Sequence, residues 1–217
     1  EDFLATLPNL LDACYLFYHS SGTNNEALKY CYYRENGVEK EYTNSLSINM
    51  FNGNPLLQNV SNAFRHCKGL KGCIPYKEVN GKIISIFEPC KNNIIDASYM
   101  FDNCTLLSGT DLDNSVMVGI KKELFKDCIK LQTVKQFFGS NSNHSFTIPT
   151  GLFDGCISLK DTSYLFYNCA LLQGSIPVSL FNSCRETLED VSYMFWGCLE
   201  LSGELPTGSK DESGNIT

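Results

Sequence analysis

Apolar and polar positions along the chain fall into two short frames that alternate from end to end. One frame reads D-x-S-Y-M-F-x-x-C and places phenylalanines at Phe17, Phe64, Phe101, Phe137, Phe166 and Phe195 (type A). The other, I-P-x-x-L-F-x-x-C, places them at Phe51, Phe87, Phe125, Phe153 and Phe181 (type B). The step from a type B ring to the next type A ring is short and nearly constant, as from Phe51 to Phe64, Phe87 to Phe101 and Phe181 to Phe195. The step from A to the next B is elastic, long from Phe17 to Phe51 and less than half as long from Phe166 to Phe181. A constant step beside an elastic one means that insertions are accepted on one side of each repeat only, and a fixed-period echo is the signature of a repeat architecture. Within a repeat, L-x-G-x-I-P alternates as a short core-facing strand would, and its proline ends that strand. The apolar groups of x-L-F-x-x-C and S-Y-M-F-x-x-C lie three apart and predict single helical turns. Phenylalanine is expected to stack on phenylalanine in two buried rows, one for each type.

The intervening segments read as insertions and caps. Residues 1–20 carry an atypical first type A motif, as a terminal repeat does. Residues 21–48 form a polar insertion in which the Asn36-Gly37 turn signal predicts a hairpin over N-G-V-E-K-E-Y-T, and a shorter insertion surrounds Asn80-Gly81. Residues 108–120 form another. There Asp111, Asp113 and Asn114 are spaced like part of a calcium loop, but the glycine and distal glutamate of an EF-hand are missing, so a polar loop is expected. Residues 207–217 read as a polar disordered tail. Glu1 stands where an initiator Met would, which fits a processed leader or an artificial boundary. The tail begins where a further type B motif is due, so a longer natural chain is expected.

The succession F-x-x-C-x-x-L-x-G-x-I-P-x-x-L, as in Phe166 to Leu180, is similar to the leucine-rich repeats of BspA-like bacterial surface proteins, whose units carry A-F-x-x-C-x-x-L followed by an I-P element. The segment from Met194 to Cys198 resembles the M-F-x-x-C repeats of related bacterial surface proteins and lipoproteins. The resemblance covers roughly residues 10–206. It departs from the family in its longer period, which runs from Phe166 to Phe195 and holds two F-x-x-C elements, and in its irregular early repeats. It implies an extracellular or cell-surface location and roles in adhesion or ligand binding, and it carries no catalytic residues. The expected fold is therefore an α/β repeat: a right-handed, leucine-rich-repeat-type solenoid over residues 1–206, about six coils of short parallel strands alternating with helical turns.

Composition narrows the partners. The 217 residues carry a net charge of −7, with 43% hydrophobic and 19% charged positions, and lack the clustered Lys and Arg that nucleic acid requires. No apolar run is long enough to span a membrane. Of 11 cysteines, eight follow a phenylalanine by three residues: Cys67, Cys90, Cys104, Cys128, Cys156, Cys169, Cys184 and Cys198. One motif position repeated in this way argues for small, reduced, buried groups. Cys14, Cys31 and Cys73 fall outside the motif, making Cys14–Cys31 and Cys67–Cys73 the local disulfide options. No CxxC spacing exists, so zinc is not expected, and neither is any other metal or cofactor.

No nucleophile elbow, phosphate loop or nucleotide fingerprint occurs, so no catalytic residue is assigned. Asp12, Asp96, Asp161 and Asp190 recur in register and read as caps that accept from backbone N–H groups. His19 and His66 share a place on a solvated edge. The sequons at Asn59, Asn103 and Asn143 are weak, two of them lying inside the repeat core. The residue after each type A phenylalanine varies: Tyr18, Arg65, Asp102, Phe138, Tyr167 and Trp196. A variable position in a constant repeat should face solvent, and Phe138, Tyr167 and Trp196 form the candidate ligand-binding stripe. The expected function is a non-enzymatic cell-surface or secreted protein-binding or adhesion module contacting a host or matrix protein, with a glycan-binding module as the alternative.

Overall fold

A backbone ladder joins the repeats, and hydrogen bonds rather than regular helices or sheets define it. The computed structural model describes residues 3–18, 31–35, 38–42, 46, 48–68, 70, 73–105, 107, 119–143 and 145–202. Asp12, Asn59, Asp96, Thr133, Asp161 and Asp190 bridge one to the next in parallel. Beyond each bridge, alternate residues donate to the following repeat: Val60 N–H to Asp96 O (2.9 Å), Asn62 to Ser98 (2.9 Å), Phe64 to Met100 (3.0 Å) and His66 to Asp102 (2.8 Å). The residues between them close tight turns instead, as Ala63 to Val60, Arg65 to Asn62 and Cys67 to Phe64.

The expected leucine-rich-repeat solenoid of strands and helical turns is not what the chain forms. No α-helix occurs among the described residues, whose regular elements are one 3-10 turn (Phe3–Thr6) and three two-stranded pairings. Most of the chain is turn and irregular backbone, so the α/β fold class is overturned. The spacing of three that suggested helical turns comes from overlapping three-residue turns. Left-handed residues interrupt them: Tyr15, Asn62, Tyr99, Gln136, Tyr164 and Tyr193 have φ between 51° and 59°, and His66, Asn103, Ser140 and Asn168 between 56° and 62°. Each such residue ends any right-handed helical run, at a cost of roughly 1–2 kcal/mol for a side chain with a Cβ. The L-x-G-x-I-P strand shrinks to β5 (Phe146–Thr147) paired in parallel with β6 (Leu172–Gln173). Gly174, at φ 78°, turns the chain away after it.

The two phenylalanine rows are present. Type B rings stack as Phe51, Phe87, Phe125, Phe153 and Phe181, with centroids 5.6–6.1 Å apart and planes within 19°. In the type A row Phe17 stacks on Phe64, Phe64 on Phe101, and Phe166 on Phe195. The fourth member is Phe138, not Phe137. Phe138 stacks on Phe166 at 5.6 Å and 5°, and its N–H donates to Leu165 O as Phe64 donates to Met100 O. Phe137 takes the place of Met100 and Leu165 and meets Phe101 and Phe125 edge-on. With that register, the step from Phe125 to Phe138 equals those from Phe51 to Phe64 and from Phe153 to Phe166. A further type B position precedes them all at Leu4, as far before Phe17 as Phe51 lies before Phe64. The Asn54 amide reaches Leu4 O at 2.8 Å.

Five of the motif cysteines point back along the stack, while Cys184 addresses Phe181 O in its own turn at 3.6 Å. The Sγ of Cys67, Cys104, Cys169 and Cys198 donates to the carbonyl of Phe17, Phe64, Phe138 and Phe166 in the preceding repeat at 3.0–3.1 Å. Cys156 does the same to Phe125 in the type B row. Asn141 fills this role in the fourth repeat, its Nδ2 donating to Phe101 O and Phe138 O. All eight motif cysteines are thiols, as are Cys14 and Cys73, so neither suggested disulfide forms from the described side chains. The Cys31 side chain lies outside them.

Two antiparallel hairpins form: β1 (Cys31–Glu35) with β2 (Val38–Tyr42), within the 21–48 insertion where a hairpin is expected, and β3 (Tyr76–Val79) with β4 (Lys82–Ser85). Asn80 and Gly81, at φ 51° and 76°, supply the two positive φ values of a type I′ hairpin turn. The acidic loop at Asp111, Asp113 and Asn114 and the tail from 207 lie outside the described residues.

Replacing Phe166 or Phe138 by Ala removes a fully buried ring and should cost about 3–5 kcal/mol each in urea melts. Comparable losses at the two would place both in the core, whereas a small loss at Phe138 would restore the surface assignment. Burial holds the Cys184 and Cys198 thiols up at about 11 and Cys90 at about 12, and raises Cys104 and Cys128 well above the ordinary thiol. The folded chain therefore keeps protons that the unfolded chain releases above about pH 9. Stability should be at its plateau below that pH and fall as pH climbs from 9 towards 12, by about 1.4 kcal/mol per pH unit for each such thiol. Thiolate absorbance from the eight motif cysteines should rise only as the chain unfolds, and titration near pH 9 in the folded protein of more thiols than the three outside the motif would contradict the buried ladder.

Candidate functional site

Two rows flank the type A phenylalanines, exposed at Tyr15, Tyr18, Tyr193 and Trp196 and buried at Asn62, Asp102 and Gly139. The first is the left-handed row two residues before each ring: Tyr15, Asn62, Tyr99, Gln136, Tyr164 and Tyr193. The second is the residue after each ring, which in the corrected register is Tyr18, Arg65, Asp102, Gly139, Tyr167 and Trp196. Because the ladder repeats one backbone conformation, equivalent side chains lie one above another. Tyr164 stacks on Tyr193 at 5.0 Å and 18°, and Tyr167 on Trp196 at 4.9 Å and 12°. Tyr164 also contacts Tyr167 at 5.4 Å. Trp196 and Tyr193 are 55% and 58% exposed, so four rings form one patch at the C-terminal end of the stack. The Lys135 ammonium lies over the Tyr164 ring at 5.7 Å.

The candidate stripe thus divides. Tyr167 and Trp196 are brought together on the surface, whereas Phe138 is 0% exposed and belongs to the core. The tandem Phe137-Phe138 left the register ambiguous by one residue, and the ladder resolves it. Tyr164 and Tyr193 escaped notice because their Tyr recurs in the motif and so read as structural. Constancy at a left-handed position marked the surface just as well.

The same rows become polar in the middle of the stack, between the Tyr15–Tyr18 pair and the C-terminal patch. The Arg65 guanidinium lies 4.5 Å over the Tyr99 ring and pairs with Asp102 through Nε at 2.9 Å. The Asp102 side chain is 3% exposed, and its other oxygen accepts from Gln136 Nε2 at 3.1 Å. Gly139 separates this cluster from the aromatic patch. A Cβ there would lie 2.4 Å from Gln136 Cγ and 2.9 Å from Asp102 Oδ1, so only glycine lets both side chains close over that place. His66 bonds Asn103 through Nδ1 at 2.8 Å and meets Tyr18 edge-on; His19 lies outside the described residues.

The aspartate series caps turns, as its register suggested. Asp12, Asp96, Asp161 and Asp190 each accept the N–H two residues on at 2.7–2.8 Å, and Asn59 does the same. This bond is the main cause holding the Asp12 and Asp190 carboxyls below the usual carboxylate range. These groups are committed to the backbone rather than aimed at a substrate. Among the described residues no helix is long and apolar enough to cross a membrane.

Comparison of the chain with protein-family models, curated proteins and solved structures finds no match.

Gly139→Ala should destabilise the fold by about 1–3 kcal/mol, the usual cost of overpacking. Shortening the obstructing neighbour in a Gly139→Ala/Gln136→Ala double variant should recover part of that loss. Equal melting of Gly139→Ala and the parent chain would show that the polar cluster is not closed over Gly139.

Proposed function

We propose that the chain is a non-catalytic binding module that acts in adhesion at a cell surface or in the extracellular space. Its contact surface is the four-ring patch Tyr164, Tyr167, Tyr193 and Trp196. The observation that carries this reading is the exposure of a contiguous aromatic patch on a framework whose other aromatic rows are buried. Tyrosine and tryptophan are the side chains most enriched among binding hot spots. The resemblance of the repeat to those of BspA-like surface proteins supports the location. Burial and raised thiol pKa values also suit it, since the thiolate is the form that oxidises.

A protein partner is favoured over a glycan by the way the rings lie. Sugars stack on ring faces, but within this patch each inner face is taken by the neighbouring ring, at 4.9–5.0 Å. Along its side the patch offers ring edges and tyrosine hydroxyls, which suit the carbonyls and apolar side chains of a protein, while Tyr193 and Trp196 also keep an outer face open at the end of the stack.

Trp196→Ala and Tyr167→Ala, made together, should leave the melting temperature close to that of the parent and reduce binding to immobilised matrix proteins (collagen, fibronectin, laminin) at least tenfold. Unchanged binding by this folded double variant, or a preference for arrayed glycans over all three proteins, would overturn the reading.

A further inference from the structure

The ladder has a direction, and its two ends are complementary. At every junction between repeats alternate N–H groups beyond the bridge donate forward to carbonyls of the next repeat, while at the bridge itself two N–H groups donate back, as Ile95 and Asp96 do to Gln58 O and Glu189 and Asp190 to Lys160 O. In the last repeat the carbonyls of Asp190, Ser192, Met194 and Trp196 are taken by the repeat before it, while those of Val191, Tyr193 and Phe195 close turns. The N–H groups of Val191, Tyr193, Phe195 and Gly197 have no acceptor among the described residues. In the first repeat the carbonyls at the matching places, Asp12, Cys14, Leu16 and Tyr18, have no donor among the described residues. Beyond the bridge, one end therefore presents four donors and the other four acceptors at the same two-residue spacing; at the bridge the sense reverses, with Glu189 O facing out at one end and the Leu11 and Asp12 N–H groups at the other.

The side chains at these ends carry core identities without core burial. Val191 holds the place that is fully buried as Val60, Ala97, Val134 and Thr162, yet it is 50% exposed. At the other end Leu7 holds the place buried as Asn54, Cys90, Cys128 and Cys156, and it is 43% exposed. Phe195 and Phe17, fully buried in their inner equivalents, are only partly covered.

From this we infer that copies of the chain associate head to tail, the donor end of one seated on the acceptor end of the next. Val191, Tyr193, Phe195 and Gly197 would donate to Asp12, Cys14, Leu16 and Tyr18 of the following copy, repeating the junction already made five times within the chain. Phe195 then stacks on Phe17, Tyr193 on Tyr15 and Trp196 on Tyr18, continuing all three rows. An ordinary extended strand does not fit this end beyond the bridge, because a strand edge alternates donors with acceptors and from Val191 onward this edge offers donors alone, the one acceptor being Glu189 O at the bridge. Like charges at the Asp190–Asp12 contact are no bar, since Asp161 and Asp190 already meet in this way. A heterologous contact of this kind stays open and adds copies in a line. With each copy carrying −7, added salt should strengthen it by screening.

Sedimentation of the whole chain across a wide range of concentration and salt should show elongated species that grow with both. Leu7→Arg blocks the acceptor end and Val191→Arg the donor end, each at an exposed side chain. Each variant alone should remain monomeric where the parent associates, and an equal mixture should give dimers and nothing larger. Amide exchange gives a readout free of substitution: the Val191, Tyr193, Phe195 and Gly197 amides should gain protection as the parent chain is concentrated. A parent chain that stays monomeric with those amides exchanging freely would mean that something other than a second copy covers the end, and the proposal fails. It fails equally if the two variants do not pair, or if either pairs with itself, as a symmetric contact would allow.

Discussion

Beyond each bridge, in the type A segment of every repeat, a one-way set of backbone hydrogen bonds organises this molecule. Each repeat sends N–H groups forward every second residue and uses the residues between to close its own turns, so each peptide group has a fixed task. That division is possible only if the backbone reverses hand inside every repeat, which puts tyrosines, asparagines, a glutamine and a histidine at positive φ. The strain is roughly 1–2 kcal/mol per residue and is met by four forward bonds at each inner junction with a phenylalanine stack on either side. Neither the ladder nor the stacks would hold alone. A single repeat has an open donor edge, an open acceptor edge and two uncovered rings, which is why the units exist only as neighbours.

From this constraint the surface follows. A backbone that repeats its conformation aligns side chains of equivalent register whether or not they attract one another. Where evolution placed rings in two adjacent rows, a patch resulted; where it placed Arg65, Asp102 and Gln136, a closed polar cluster formed. Gly139 is the hinge between the two characters, since its missing Cβ is what lets Gln136 and Asp102 meet. The aromatic patch and the donor end share Tyr193 and Trp196 but use different parts of them. A copy seated on the end covers the outer ring faces, and the edges stay open to a partner.

Much of this was legible in the sequence, and the misreadings have physical causes. The alternation of two phenylalanine types, the cysteine position and the aspartate caps could all be read, because each is a side chain doing the same job in every repeat. The turn-built backbone could not. Apolar groups three apart satisfy a helical turn and a chain of overlapping tight turns equally well, and the deciding feature, a left-handed Tyr, is one that side-chain pattern does not advertise. Register at Phe137-Phe138 failed because either ring satisfies the motif locally, and it is the Phe138 N–H bond to Leu165 O and the stack of Phe138 on Phe166 that distinguish them. Leu4 was missed because both of its landmarks, the ring and the cysteine three residues on, are leucines there.

The cysteine position shows how one residue type can serve packing and polarity together. At this position a small group must pack into the core, and in five repeats it also addresses a carbonyl of the preceding repeat, whereas Cys184 addresses Phe181 O in its own turn. A thiol does both with a weak donor and little desolvation cost, whereas a serine hydroxyl would carry a stronger demand for partners into an apolar place. Asn54 and Asn141 show the consequence of a more polar choice. Each Nδ2 finds two carbonyls, but each Oδ1 is left buried without a partner. An orphaned acceptor of this kind costs about 1–3 kcal/mol, so the cysteine is preferred at this position for what it does not ask of its surroundings. The same burial that makes it a good packing group keeps its proton on, and a protonated, covered thiol can repeat eight times in one chain without being drawn into disulfides.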